Sequence, residues 1–380
     1  MSGISLKNSR ILVTGADGFV GQNLLVRLNQ LGNINVSTFV RGDDVARLAQ
    51  CVANADAVVH LAGENRPVDE AAFSRVNSGL TSELCDAILQ EFRRNGRHVL
   101  LVLASSKQAE HDNPYGRSKL AAETAVKTLA RDTKNPCVIF RFPGIFGKWC
   151  KPNYNSVVAT FCYNIARDLP IQINDPLASL QLVYVDDVVD ALLAALGDTP
   201  LGFVEAKVDT EYTITLAELA NQIRAFGNCR YTLRTERVGT GFVRALYATY
   251  LSYLPSEKFS YQLTQHSDPR GVFVEMLKTH DSGQISYFTA HPGVTRGGHY
   301  HHTKTEKFLV IKGEALFSFR HLLTKELVEL RTVSSTPQVV DTIPGWTHDI
   351  TNVGNDEMVV ILWANENFDI LKPDTVASKV

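Results

Sequence analysis

The hydrophobic pattern changes once along the chain, and this change constrains the fold more than any other feature of the sequence. In roughly the first 225 residues, continuous apolar runs such as 11–13 and 99–103 alternate with longer amphipathic stretches. Apolar strands that alternate with helices indicate a parallel sheet covered on both faces. Beyond about Tyr253, short β-rich runs are separated only by turn residues, which indicates an antiparallel sandwich or barrel.

We therefore predict an α/β fold in which a Rossmann-type, doubly wound parallel sheet is followed by an all-β domain. The predicted domains are residues 1–245 and 255–372, joined through a helix expected at 239–254. The formal net charge of −2 lacks the basic excess of nucleic-acid-binding proteins. No apolar run approaches the roughly 20 residues needed to cross a bilayer, and residues 1–10 do not resemble a signal peptide. Because the six cysteines show no paired spacing, we expect a reducing compartment and hence a cytoplasmic protein. The charge and the lack of a long apolar run predict that it has no nucleic-acid or membrane partner.

Three glycines follow the first predicted strand and open the first predicted helix. The spacing of Gly15, Gly18 and Gly21 would let a pyrophosphate approach the backbone, and the helix N-terminus would supply N–H donors. This pattern predicts a dinucleotide site, and the alternative is a tight turn without a ligand. The second strand ends at Arg41, whose charge favours the 2′-phosphate of NADPH, although two acidic residues follow it closely.

A Tyr–Lys pair is the candidate catalytic group of this half. Tyr115 and Lys119 are four residues apart on a predicted helix, so their side chains share one face. A Tyr hydroxyl beside an ammonium has a lowered pKa and can donate or accept a proton. Ser106 closes the preceding strand and could bind the same carbonyl oxygen.

These features, with the segments 56–63, 141–147 and 184–188, resemble the extended short-chain dehydrogenase/reductases, especially those that act on nucleotide sugars. The resemblance implies a nicotinamide cofactor, Tyr115 as proton donor, and Lys119 as the group that lowers the Tyr pKa and binds the ribose. Lys107 and Gln108 stand where the sugar dehydratases carry an acidic pair, so hydride transfer is expected rather than elimination. The resemblance implies these cofactor contacts: Gly15, Gly18, Phe19, Val20, Gly21, Arg41, Leu61, Ala62, Tyr115, Lys119 and Arg141.

Histidines and one glutamate predict a metal site in the second half. His299 and His301 are two residues apart on a predicted strand and point to the same face. Glu306 follows on the next stretch, and His348 lies farther along the chain. Three imidazoles and a carboxylate are a plausible set of ligands for one divalent transition metal. Zinc is expected if the metal is structural, while the ligand types leave manganese, iron and nickel open.

The spacing from Gly293 through these ligands to Gly313 resembles the first sequence motif of the cupins, and residues 344–352 resemble the second motif less closely. The resemblance implies a small double-stranded β-helix barrel with the metal inside. A nucleotide-sugar reductase followed by a cupin resembles the CapF-type bifunctional enzymes of the UDP-N-acetyl-L-fucosamine pathway. Residues 146–156 resemble the same group.

This second resemblance implies two reactions on a UDP-4-keto-6-deoxy-N-acetylhexosamine. The cupin domain is expected to invert C3, because a proton beside a ketone is acidic once the enolate is stabilised. The reductase domain is then expected to reduce C4 with NADPH to UDP-2-acetamido-2,6-dideoxy-L-talose, the precursor of UDP-N-acetyl-L-fucosamine. Lys7, Arg66, Lys148 and Asn153 are candidate contacts to this substrate. We also expect a homodimer, because cupins often pair through exposed strands.

Two other functions stay open on the sequence alone. One is a reductase fused to an oxygenase, with iron at the predicted metal site, and the other is an NADP-sensing regulator with a silent reductase fold. The presence of Ser106, Tyr115 and Lys119 argues against a sensor, which would not need these three groups. The acid and base of the C3 reaction, and a catalytic or structural role of the metal, also stay open.

Overall fold

Strands and helices alternate in the first half of the chain, as its hydrophobic pattern predicts. The computed structural model describes residues 8–66, 69–197, 200–371 and 373–380. The elements up to residue 254 are, in chain order, β1 Arg10–Thr14, α1 Phe19–Leu31, β2 Asn35–Phe39, α2 Val45–Asn54, β3 Ala57–His60, α3 Leu80–Asn95, β4 Leu100–Ser106, α4 Pro114–Thr133, β5 Cys137–Phe142, β6 Gly144–Phe146, α5 Val157–Ala166, β7 Ser179–Tyr184, α6 Val185–Ala195, β8 Phe203–Ala206, β9 Tyr212–Thr215, α7 Leu216–Thr232 and α8 Gly241–Ser252.

Six of these strands form a parallel sheet in the order β2-β1-β3-β4-β5-β8. Alternate residues of its strands lie in two separate apolar clusters, one on each face. Leu12 and Leu101 pack with Leu84 of α3 on one face, while Val13 and Val102 pack with α1 and α6 on the other. Because both faces are buried, these strands are apolar at successive positions. The doubly wound sheet expected from the sequence is thus confirmed.

The carboxyl ends of neighbouring parallel strands bring the first candidate site together. The turns after β1 and β3 and the last residues of β4 lie at this edge of the sheet, where open α/β folds bind their ligands. A smaller sheet in the order β6-β7-β9 contains the segment that follows β5. A π-helical segment, Phe73–Gly79, precedes α3 and carries Asn77 next to α4.

The second half consists mainly of antiparallel strands. They are, in chain order, β10 Gln265–Asp268, β11 Gly271–Lys278, β12 Gln284–Ala290, β13 Thr295–Tyr300, β14 Glu306–Lys312, β15 Glu314–His321, β16 Leu327–Val333, β17 Val339–Asp341, β18 Trp346–Asn352, β19 Met358–Ala364 and β20 Val376–Ala377. One sheet has the order β10-β11-β12-β19-β14-β17 and the other β16-β15-β18-β13-β20. The apolar core takes residues from both sheets, among them Phe308 of β14 and Phe317 of β15. The expectation of an all-β second domain is confirmed.

The structure divides the chain differently from the predicted boundary. One compact unit contains the described residues up to Ile223 together with Ala245–Leu254, and the other contains Arg224–Arg244 and Pro255–Val380. The division therefore falls within α7 and not after residue 245. It also extends the second unit beyond residue 372, because β20 pairs with β13.

Backbone hydrogen bonds explain this difference. Thr235 N donates to the Lys278 carbonyl at 2.8 Å, and Lys278 N donates to the Leu233 carbonyl at 2.7 Å. The segment after α7 is thus tied to β11 of the second unit. The end of α8 belongs to the first unit, where Arg167 donates to the Tyr253 carbonyl at 2.8 Å. These pairings join residues distant in sequence, so no local pattern marks them. Within the described part of the chain, no helix is both long and apolar enough to cross a membrane.

Candidate functional site

The glycine turn after β1 has the close packing that a dinucleotide site requires. Gly15 has φ of 68°, and a Cβ atom there would lie 2.6 Å from the Ala62 nitrogen. Only glycine allows the turn to approach the loop after β3 so closely. Gly18 precedes α1 and has no side chain to accept hydrogen bonds from the first N–H groups of the helix. Those donors and the helix dipole suit a phosphate, so the residues present fit a bound dinucleotide.

The other predicted cofactor contacts surround this turn. Phe19 and Val20 form the first turn of α1. The loop after β3 is tied to β1, because Leu61 N donates to the Thr14 carbonyl at 3.1 Å and Ala62 N donates to the Thr14 hydroxyl at 3.3 Å. The proximity of these segments to Gly15 is consistent with the prediction, which stays a prediction for the individual contacts.

Two predicted cofactor contacts, both arginines, have carboxylate partners. Arg41 is 82% exposed at its side chain and lies 2.7 Å from Glu64, so its preference for a 2′-phosphate stays a prediction. Arg141 binds Glu123 in a bidentate manner, at 2.8 and 2.6 Å. It also contacts Glu110 at 3.0 Å. Because Glu123 is almost fully buried, this pairing gives Arg141 a structural role that the sequence did not predict.

Ser106, Tyr115 and Lys119 meet at the carboxyl end of β4. Ser106 is the last residue of β4 and hydrogen-bonds Tyr115, which lies in the first turn of α4. The Lys119 nitrogen lies 6.0 Å from the centre of the Tyr115 ring and donates to the Ala104 carbonyl at 3.1 Å. The structure thus brings together all three residues that were predicted to be catalytic.

Burial dominates the protonation equilibria of this group. Burial raises the pKa of Tyr115, and the hydrogen bond from Ser106 offsets only part of this rise. Burial also lowers the pKa of Lys119 to about 8, although Glu123 opposes this effect. The pKa of Tyr115 is thus raised, whereas the resemblance implies a lowered pKa. The reason is that the desolvation of the ring outweighs its polar contacts.

Asn77 connects the loop after β3 with α4. Its amide nitrogen donates to the Ser118 hydroxyl at 3.0 Å and to the Glu64 carbonyl at 3.1 Å, while its oxygen accepts from Glu64 N at 2.8 Å. Asn77 is 2% exposed. Because both ends of this amide are paired, it fixes the position of Gly63, whose neighbourhood includes the Lys119 nitrogen.

The four predicted metal ligands meet inside the second unit. His299, His301, Glu306 and His348 each offer a ligand atom within 4.8 Å of the others. His299 and His348 are register partners on β13 and β18, and Glu306 begins β14. The antiparallel ladder thus brings His348 next to a pair that is almost 50 residues away in sequence.

The donor set fits a divalent cation. Both ring nitrogens of His348 are buried without a hydrogen-bond partner in the described part of the protein, although Nε2 is 3.5 Å from Glu306. Burial, together with the neighbouring histidines, lowers the pKa of His299 to about 4. Burial opposes ionisation of Glu306, but the hydrogen bond from His301, the nearby His348 ring and the charge of Lys304 hold its pKa far below the ordinary value. A neutral His299 imidazole and an ionised Glu306 carboxylate are the protonation states that a metal requires of these ligands.

A C-terminal segment that the sequence analysis missed holds this ligand set. The Asp374 carboxylate accepts backbone hydrogen bonds from His302, Thr303 and Lys304 at 2.7 to 2.9 Å. These residues form the turn between His301 and β14. The Asp374 carbonyl hydrogen-bonds Nδ1 of His301, which leaves Nε2 toward the other ligands. Such an outer contact fixes the tautomer and the ring orientation of a ligand histidine.

The candidate contacts to the UDP-sugar are less well defined. Lys148 pairs with Asp186 at 2.5 Å, and Asn153 has a left-handed backbone with φ of 54°. Arg66 is exposed. Lys7 lies outside the residues that the structure describes. None of these observations assigns a substrate contact, so the three described residues stay candidates.

Two family models together match most of the chain. The model described as the NAD dependent epimerase/dehydratase family matches residues 11–202. The model described as the polysaccharide biosynthesis C-terminal domain matches residues 266–376. The chain therefore belongs to the NAD dependent epimerase/dehydratase family, and it is an enzyme of the class that uses a nicotinamide cofactor.

Full-length relatives narrow this class further. The chain is 54% identical over 371 residues to the UDP-2-acetamido-2,6-beta-L-arabino-hexul-4-ose reductase of Pseudomonas aeruginosa, with 98% of this chain and 99% of that protein covered. It is 42% identical to the capsular polysaccharide assembling protein CapF from Staphylococcus aureus, whose crystal structure matches with a TM-score of 0.89 over 97% of this chain and 100% of that one. The chain thus belongs with these two-domain proteins, as the sequence predicted.

A more distant likeness concerns the fold alone. The Bordetella bronchiseptica enzyme WbmF, solved in complex with NAD+ and UDP, is 20% identical and matches with a TM-score of 0.54. The match covers 65% of this chain and 92% of that one. This likeness is consistent with the Rossmann-type fold of the first unit.

Proposed function

We propose that this chain is a bifunctional nucleotide-sugar enzyme that inverts C3 of a UDP-4-keto-6-deoxy-N-acetylhexosamine and then reduces its C4 ketone. The observation that carries this proposal is the 54% identity over nearly the full chain to a reductase named for the corresponding 4-ketone. The product would be UDP-2-acetamido-2,6-dideoxy-L-talose. Reduction removes the ketone that makes the C3 proton acidic, so it locks the inverted configuration.

The first unit performs the reduction. Tyr115 donates the proton to the C4 oxygen while C4 accepts a hydride, and Ser106 donates a hydrogen bond to the same oxygen. A bound reduced nicotinamide supplies the hydride. The lowered pKa of Lys119 keeps a balance of charged and neutral forms near pH 8, so Lys119 can return a proton to Tyr115 after each turnover. The raised pKa of Tyr115 keeps its hydroxyl protonated before the transfer, and it also makes the hydroxyl a weaker acid.

The second unit, which we propose to be a cupin barrel, performs the C3 inversion. A base removes the C3 proton, the electron pair forms a C3–C4 double bond, and a proton returns on the opposite face of C3. A divalent cation held by His299, His301, Glu306 and His348 would supply a Lewis acid for this chemistry or brace the barrel. Three closely spaced imidazoles and one carboxylate support zinc as the first candidate.

We propose NADPH as the reductant because Arg41 lies two residues beyond the end of β2, where a 2′-phosphate would be bound. Its Glu64 partner competes for this charge. Arg41→Gln is therefore expected to raise the KM for NADPH about tenfold and to leave the KM for NADH unchanged. A homodimer is part of the proposal as well, and the oligomeric state in solution tests it by light scattering.

Product analysis tests the two reactions together. The enzyme is incubated with the arabino-configured 4-ketone and NADPH in D2O, and the product is examined by NMR. We expect a talo-configured amino sugar with deuterium at C3. A product with hydrogen at C3 and the original C3 configuration would leave only the reductase part of the proposal. Oxygen uptake without NADPH consumption would support an oxygenase and contradict both parts.

A further inference from the structure

Arg296 lines the cavity that contains the metal-ligand cluster, and part of its guanidinium group is unpaired. The cavity has a volume of about 150 Å³, and its lining includes Arg296, His299, Glu306 and His348. The side chain of Arg296 is 12% exposed. Its Nη2 atom is buried and has no hydrogen-bond partner among the residues that the structure describes.

Other contacts fix the position of this guanidinium. Nε of Arg296 donates to the Thr289 carbonyl at 2.9 Å, and the group lies 5.3 Å from the centre of the Phe288 ring. Phe288 also lines the cavity. The guanidinium is therefore held in place on one side by a hydrogen bond and an aromatic ring, while Nη2 stays free.

The nearby carboxylate does not satisfy Nη2. Asp268 is 4.0 Å from it, which exceeds hydrogen-bond distance. Asp268 is instead bound by Arg270, with contacts at 2.6, 2.8 and 3.1 Å. Arg270 thus takes up the charge that could have neutralised Arg296.

A buried donor on a cation destabilises the protein when it is unpaired, because its desolvation is not compensated by a hydrogen bond. Arginine does not escape this cost by losing its proton near neutral pH. The arrangement is therefore expected where a ligand supplies the missing acceptor. Nη2 is a terminal nitrogen of the guanidinium and donates through its N–H groups, so an oxygen atom of a bound ligand would supply a suitable acceptor.

We propose that Arg296 binds the C4 oxygen of the substrate and stabilises the negative charge that develops there during C3 inversion. This inference rests on the proposed C3 inversion. When the base removes the C3 proton, the C–H electron pair forms the C3–C4 double bond and the carbonyl π pair moves onto the oxygen. The charge returns to carbon when C3 is reprotonated, so the step consumes no oxidant or reductant. Arg296 supplies a fixed donor for the oxygen in both directions.

The test measures exchange of the C3 proton of the 4-ketone with D2O, without a nicotinamide, by NMR. Loss of one preorganised oxyanion donor typically lowers kcat by about 10² to 10³. Arg296→Met is therefore expected to lower the exchange rate at saturating substrate by about 100-fold, with little change in KM. Arg296→Lys keeps the charge but not the fork of donors, so an intermediate rate is expected. The matched control is Arg331→Met, because Arg331 is 64% exposed and pairs with Glu314 on the surface.

Folding is checked separately, because Arg296 also contacts Thr289 and Phe288. Thermal melting and the bound-metal content of each variant are compared with those of the wild type. Guanidinium ion at millimolar concentration is also added to Arg296→Ala, and recovery of exchange is expected. If Arg296→Met fails to fold, the exchange rate of the conservative Arg296→Lys variant is used instead. Rescue by the free ion would not occur if the residue served only to pack the barrel.

Three experimental outcomes would contradict this proposal, and each would do so in a different way. An exchange rate in Arg296→Met equal to that of Arg331→Met would overturn the role of Arg296 and leave the proposed C3 inversion intact. A raised KM with an unchanged saturated rate would assign Arg296 to the diphosphate and would also overturn the inference. If the metal-loaded wild type shows no exchange, the proposed C3 inversion is wrong and the role of Arg296 with it.

Discussion

Lys119 is expected to destabilise the fold that it serves. Burial lowers its pKa from 10.5 to about 8, and each pKa unit corresponds to about 1.36 kcal/mol. The folded state therefore carries a penalty of about 3 kcal/mol for holding this charge at pH 7. Lys119→Met removes the penalty and also the hydrogen bond to Ala104, which contributes about 1 kcal/mol. The net expectation is a gain of about 2 kcal/mol at pH 7.

The pH dependence has a defined sign. Since the pKa of Lys119 is lower in the folded state, the unfolded chain binds more protons between about pH 8 and 10.5. The penalty is complete below this range and is relieved as the pH rises through it. The advantage of Lys119→Met over the wild type should therefore shrink from pH 7 to pH 9.5.

Equilibrium unfolding in urea, without cofactor, measures this difference at the two pH values. Arg131→Met is the control, because Arg131 lies on the same helix with a side chain that is 72% exposed and pairs with the exposed Asp132. The reductase activity of Lys119→Met should be lost while its stability rises. The predicted penalty on the charged Lys119 would be wrong if Lys119→Met were less stable than the wild type at pH 7. It would also be wrong if the difference in unfolding free energy between the two proteins did not change with pH.

Other contacts lead to expectations for single substitutions. Tyr115→Phe should lower NADPH-dependent reduction by about 10² to 10⁴, and unchanged turnover would contradict its role as proton donor; C3 exchange should not change. Asp374→Ala should weaken zinc binding by about 10- to 100-fold in a chelator competition, because it releases the turn that carries His301; Asp369→Ala, on an exposed segment nearby, should have no effect. Arg141→Met should destabilise the protein by about 3–5 kcal/mol in urea, because it leaves the buried Glu123 carboxylate without its main partner; a loss of cofactor affinity without a loss of stability would instead support the predicted cofactor contact.

Features that repeat at short range were predictable from the sequence. The apolar strands follow from burial on both faces of the sheet, and the pairing of Tyr115 with Lys119 follows from the helical spacing of four. The two histidines at strand spacing likewise indicated a shared face. In each case, a few neighbouring residues carry the whole signal.

Contacts between distant residues were not predictable in the same way. Asp374 lies 73 residues from His301, and Glu123 lies 18 residues from Arg141, with no periodic pattern to connect either pair. The free Nη2 of Arg296 depends on how Arg270 and Asp268 pair, which only the folded strands determine. The sign of the Tyr115 pKa shift depends on the burial of its ring. A sequence shows which residues neighbour a tyrosine along the chain, but it does not show how far the ring is removed from water.

We propose above all that C3 inversion occurs in the second unit and does not need the reductant. Wild-type enzyme loaded with zinc is mixed with the 4-ketone in D2O without NADPH, and the C3 proton signal is followed by NMR. We expect the signal to disappear in the wild type and in Tyr115→Phe, and we expect no exchange in a folded Glu306→Gln variant. A C3 proton that persists in the wild type, under conditions in which added NADPH is oxidised, would contradict the claim.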